Sequence, residues 1–270
     1  MRRIASGLIV IMSVLLVSCN GKTGNTITVG SDKLDNTQSY FSESMHKAAR
    51  CDSGYYYLDK CGASADNLMF YDDKSEESIV LCNKPQCGHD GEECMAYISG
   101  SEFKSELYYY NSYIYMISSK GNFVRISADG TQRTDLGSIC VLSGQDSVSM
   151  CFNDGYAYVS QEITGDIEGN VTVRLYRFNL DTGLSDKIYE ETGYGIGINS
   201  LKTYGSDTFF LKTSVSKDDK GLYSLEGKGI FRITGEDTEC LLDKNVYSYC
   251  IDADNNKLYY SGLGDGTIYE

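Results

Sequence analysis

The chain has 270 residues with a formal charge of −14, 23 Tyr and 28 Gly against one Pro and no Trp. A balance this acidic, with no basic patch, repels nucleic acid and anionic lipid head groups, so nucleic-acid binding is excluded. Tyr suits pleated, half-buried surfaces and Gly marks tight turns, so the composition points to an all-β protein.

The chain opens Met1-Arg2-Arg3, followed by an apolar run over residues 4–17 that ends Leu16-Val17-Ser18-Cys19. A positive start and a short apolar core are signal-peptide features. The run falls short of the roughly 20 residues a spanning helix needs. A small residue before a cysteine, straight after such a core, resembles the bacterial lipobox. That resemblance implies cleavage before Cys19, lipidation (palmitate among the acyl chains) of its thiol, and anchorage on the extracytoplasmic face of the cell membrane. Residues 1–18 are thus read as signal, 19–44 as the lipidated cysteine with a polar, flexible linker, and 45–270 as the folded domain. The only helical pattern after the signal spans residues 42–49.

Beyond that point a polar turn followed by a Tyr/Phe-rich strand of period two recurs five times. The segments begin near residues 54, 112, 155, 206 and 257 and read Tyr55-Tyr56-Tyr57, Tyr113-Ile114-Tyr115, Tyr156-Ala157-Tyr158, Phe209-Phe210 and Leu258-Tyr259-Tyr260. Each has one strand before it and further strands after it, about four per repeat. A period of roughly 50 residues with four strands is that of a β-propeller blade. Each small sheet buries its faces only by stacking on its neighbours. A two-sheet sandwich, which has no need of similar hairpins at a fixed period, is the competing architecture.

Lys257-Leu258-Tyr259-Tyr260-Ser261, followed by Gly266-Thr267-Ile268-Tyr269, resembles the YWTD repeat of six-bladed propellers in low-density lipoprotein receptors. With the lipobox and the run Leu81-Cys82-Asn83-Lys84-Pro85-Gln86-Cys87-Gly88-His89, the whole chain is similar to clostridial lipoproteins that carry such a propeller and have no established function. A six-bladed ring needs roughly another blade and a half beyond Glu270. The chain is therefore read as a piece of a longer one. A five-bladed ring, completed by a strand over residues 26–29, is the alternative.

Cys82-x4-Cys87-x-His89-x4-Cys94 is the one constellation with recognisable site chemistry. Thiolates and imidazole suit Zn²⁺, which takes four such ligands in a tetrahedron, and a site closed by four protein ligands is structural. Outside the cytoplasm disulfides compete with metal. The remaining cysteines, Cys51, Cys61, Cys140, Cys151, Cys240 and Cys250, could pair or stay reduced, and spacing does not give the connectivity. The expected cofactor is one structural zinc ion.

No nucleophile elbow is present, and with two His in the chain a Ser-His or His-metal site is hard to assemble. The expectation is a surface-anchored, non-catalytic binding or scaffold module and not an enzyme. Its ligand would be an envelope protein, a peptide or a glycan, met through loops at the ends of the ring. The alternatives are a propeller enzyme acting on glycans and a metal or redox sensor.

Overall fold

The computed structural model describes residues 48–99, 107–143, 146–165, 169–204, 207–235, 237–252, 255–262 and 267–270. The expected signal, Cys19 and the linker lie outside these residues. Within them the chain forms strands and turns and no helix.

Five antiparallel sheets follow one another along the chain. The first holds β1 (Ala48–Cys51), β2 (Gly54–Lys60), β3 (Ala65–Asp72) and β4 (Glu77–Val80), with β5 (Tyr97–Ser99) also paired to β3. The second holds β6 (Tyr108–Tyr110), β7 (Tyr113–Ile117), β8 (Asn122–Ser127) and β9 (Arg133–Ser138). The third holds β10 (Ser147–Asn153), β11 (Tyr156–Thr164), β12 (Asn170–Asn179) and β13 (Ser185–Tyr194). The fourth holds β14 (Gly197–Tyr204), β15 (Asp207–Lys217), β16 (Tyr223–Thr234) and β17 (Asp237–Leu242). The fifth, β18 (Val246–Asp252), β19 (Lys257–Gly262) and β20 (Ile268–Tyr269), has three strands among the described residues. The second strands of the five sheets begin at Gly54, Tyr113, Tyr156, Asp207 and Lys257. The fold is the expected all-β propeller.

Local chemistry sets the hairpins. Asn111 and Ser112, and again Asp154 and Gly155, all have positive φ. That is the two-residue turn whose twist matches paired strands. One expectation fails at the start of the domain. Ala48 and Ala49, read as the end of a helical stretch, belong to β1, which pairs along its whole length with β2. Burial alternates with period two over Ala48–Cys51. Sheet pairing has overridden the helix preference of alanine.

The apolar cores lie between sheets. Leu68, Ala96 and Ile98 of the first sheet pack with Ile114, Met116 and Ile126 of the second. Tyr110, Tyr115 and Phe123 of the second meet Phe152 and Phe178 of the third. There, Phe152 lies 4.8 Å from the Tyr115 ring and 5.1 Å from that of Tyr110. Similar clusters join the third to the fourth and the fourth to the fifth. Tyrosine suits such a seam because its ring fills the gap while its hydroxyl reaches backbone on the next sheet. Tyr56 donates to the Ala128 carbonyl at 3.2 Å, and Tyr249 to that of Ser200 at 2.7 Å. The Tyr108 hydroxyl accepts from the Met150 amide at 3.2 Å. The first strands of successive sheets neighbour one another, β1 with β6, β6 with β10 and β10 with β14.

Candidate metal centre

The Cys/His segment interrupts the outer strand of the first sheet. β4 pairs with β3 from Asp72 back to Met69, and β5 takes over from Asn67 to Ala65. Between them the chain leaves the sheet and returns to the same residue. The Leu81 amide donates to the Leu68 carbonyl, and the Leu68 amide donates to the Ala96 carbonyl, both at 2.8 Å. Residues 82–95 are thus a loop pinched at its neck on Leu68.

Inside the loop short turns bring the donors inward. The Cys87 amide donates to Lys84 O at 3.3 Å and the Cys94 amide to Gly91 O at 2.9 Å. Gln86 and His89 take positive φ of 60° and 57°, which turns the chain sharply at each. One ligand atom from each of Cys82, Cys87, His89 and Cys94 lies within 4.8 Å of all the others. His89 Nδ1 is 3.3 Å from Cys94 Sγ. Zinc–sulfur bonds of about 2.3 Å put tetrahedral ligands about 3.8 Å apart, so the four atoms need to draw in by at most about 1 Å. The residues fit a metal ion.

The thiols are not equivalent. Burial pushes Cys82 up, but the amides of Lys84 and Met95 and the neighbouring thiols outweigh it and hold its pKa below the ordinary value. Burial raises Cys94 to about 12, helped by the Cys82 and Cys87 thiols and opposed by the Ala96 amide. Cys94 is 2% exposed and belongs to the core shared by the first two sheets.

The loop bears on the second sheet. The Asn83 amide donates to the Gly130 carbonyl at 3.2 Å. Gly130 has φ +69°, and a Cβ there would lie 2.8 Å from the Leu81 carbonyl and 3.0 Å from the Cys82 nitrogen. Only glycine lets the turn between β8 and β9 seat on this backbone. The Arg133 guanidinium donates to the Tyr97 carbonyl at 2.7 Å, next to the returning strand.

The other described cysteines, Cys51, Cys61, Cys140, Cys151, Cys240 and Cys250, are free thiols dispersed over the sheets. Cys51, Cys151 and Cys250 each lie in the first strand of their sheet. Cys140 is buried and Cys240 is exposed.

A second polar convergence lies between the third and fourth sheets and carried no sequence signal. Glu162 near the end of β11 meets Gly197, Asn199 and Thr213. The Ile198 amide donates to Glu162 Oε1 at 3.0 Å, and Asn199 Nδ2 donates to Thr213 Oγ1 at 3.2 Å. Burial raises the Glu162 carboxyl above its ordinary value, opposed by that amide and by the Ser147 hydroxyl.

No family model matches the sequence, and no curated protein matches it. Solved structures do. An oligogalacturonate lyase from Vibrio parahaemolyticus aligns at TM-score 0.50 and 10% identity, covering 88% of this chain and 62% of that one. An oligogalacturonate lyase in complex with manganese aligns at TM-score 0.45 and 11% identity, covering 76% of this chain and 52% of that one. The chain thus spans between about half and three-fifths of these two proteins. The expectation that this propeller is not an enzyme is corrected by the Vibrio match: a solved protein of this fold is an enzyme, and a missing sequence motif carries no weight against catalysis. At that identity the likeness shows the fold alone, and the chain is similar in fold to a propeller-type oligogalacturonate lyase.

Proposed function

We propose that the chain is a propeller enzyme acting on glycans at the extracytoplasmic face of a bacterial membrane, held there by lipid on Cys19. One observation carries the reading: 88% of the chain follows the fold of an oligogalacturonate lyase. The lipobox-like Leu16-Val17-Ser18-Cys19 supports the location.

Cys82, Cys87, His89 and Cys94 hold one zinc ion in this reading. Three thiolates and an imidazole are a soft set that suits zinc, whereas manganese favours carboxylate, carbonyl and water. Zinc closed by four protein ligands has no open position for substrate; when bound it supplies cross-linking of the loop. The chain's own residues then keep the neck on Leu68 and the seat on Gly130 in register. Catalysis is therefore sought elsewhere on the ring.

The test uses the full chain solubilised in detergent, incubated with neutral and uronic oligosaccharides and followed by chromatography. Shortened products from at least one glycan are expected, and no product from any would sink the reading. Cys19→Ser should release the protein from the membrane fraction; a variant that still sediments with membrane refutes the anchor.

A further inference from the structure

Glu162 is a carboxylate in an unusual position. It is half-buried at the seam between two sheets, and no Lys or Arg pairs with it among the described residues. A carboxylate placed only to tie two sheets would gain from an ion-pair partner, because burying an unpaired charge is costly. Its neighbours supply an amide and hydroxyls. Oε1 accepts from the Ile198 amide at 3.0 Å, and Oε2 lies 3.4 Å from the Ser147 hydroxyl. A carboxylate has about four lone-pair sites, so acceptor capacity remains.

Gly197 brings the other groups in. A Cβ on it would lie 2.9 Å from Glu162 Oε1, 3.0 Å from Thr213 Oγ1 and 3.7 Å from Asn199 Nδ2. A glycine inside a strand marks a place where something must approach the backbone closely. Here three side chains from β11, β14 and β15 converge over it. Thr213 is buried, while Asn199 is exposed and opens the cluster to solvent. Tyr194, the last residue of β13, and Tyr223, the first of β16, stack with centroids 6.3 Å apart and are 39% and 60% exposed.

We infer that Glu162, Asn199 and Thr213 form a glycan-binding subsite at the seam of the third and fourth sheets, built for a neutral, hydroxyl-rich sugar and not for a uronide. The inference rests on the glycan reading above and narrows it. A carboxylate beside an amide and a hydroxyl matches paired sugar hydroxyls, which both donate and accept. A uronate carboxylate would meet the Glu162 charge with no cation to balance it, on a chain of formal charge −14. Such like-charge contacts reject a ligand more effectively than they bind another.

An array of neutral and uronic oligosaccharides, probed with the full chain in detergent, identifies the strongest neutral ligand, which is then titrated by calorimetry. Glu162→Gln keeps an acceptor for the Ile198 amide and should weaken binding at least tenfold with an unchanged melting temperature. Asn199→Ala, at an exposed position, should weaken it severalfold. Neutral ligand bound equally by wild type and both variants overturns the subsite but leaves the glycan reading standing. Uronides bound more tightly than any neutral sugar overturn the specificity. Binding and turnover of no glycan at all overturn both readings together.

Discussion

The loop of residues 82–95 and the seam around Glu162 are both convergences of polar side chains on a sheet scaffold, but they are built in opposite ways. In the loop, four donors from one short segment fold onto each other, pinched at a single residue, Leu68. At the seam, Glu162, Asn199 and Thr213 come from three strands of two sheets and meet only when those sheets dock. The first arrangement is written in the sequence, and the second exists only in the fold. The loop is accordingly a site whose loss should be read in stability, and the seam one whose loss should be read in binding.

The contrast breaks first at the ligands. With zinc bound, Cys94→Ala or chelation of the wild type should destabilise the chain by about 3 kcal/mol or more, a fall in Tm on the order of 10 °C. Thermal melts with and without chelator, alongside zinc and free thiols counted per chain, decide it. Wild type that melts alike in both conditions and holds no zinc removes the metal.

Gly130→Ala should come next. The new Cβ would sit at positive φ against the Leu81 carbonyl and the Cys82 nitrogen, both backbone. Strain of this kind costs about 2 kcal/mol. If the loop truly leans on the second sheet, zinc should also leave this variant at lower chelator concentration than wild type. Equal retention would separate the loop from the sheet.

Gly197→Ala sharpens the comparison from the other side. Its Cβ meets side-chain oxygens of Glu162 and Thr213, which can shift, so the stability cost should be only about 1 kcal/mol. Glycan affinity should fall about tenfold all the same, because the added methyl occupies the point on which Glu162, Thr213 and Asn199 converge. A large loss of Tm with binding intact would make this seam structural.

How much could be seen beforehand follows the same division. The period of the Tyr-rich strands and turn pairs such as Asp154-Gly155 reveal the propeller, because hairpin chemistry is local. The metal ligands stand out for the same reason. That their loop interrupts an outer strand which resumes at Tyr97 could not be read, since it depends on β5 finding the same edge of β3. Ala48 and Ala49 look helical until β2 supplies a partner. The seam was illegible for the same reason: Glu162 is one of 38 acidic residues in the sequence, and nothing nearby in the chain distinguishes it.

The smallest expected effect concerns the turn under the metal loop. Asp129 accepts from the Ser127 hydroxyl at 2.6 Å, the Thr131 hydroxyl at 2.7 Å and the Thr131 amide at 3.0 Å. These bonds favour its charged form and lower its pKa from the ordinary 3.8 to about 2. A carboxylate depressed in the folded state contributes stability that is present above its unfolded pKa and lost as pH falls through the folded one. Asp129→Asn keeps an acceptor and removes the charge. It should therefore melt slightly below wild type near neutral pH, and the gap should close between pH 3.8 and about 2. Metal release in acid affects both proteins alike, so the difference between their melting curves isolates the turn. A gap that persists unchanged at pH 2 would mean that Asp129 acts through shape and not charge. The loop would then rest on the geometry of Gly130 alone.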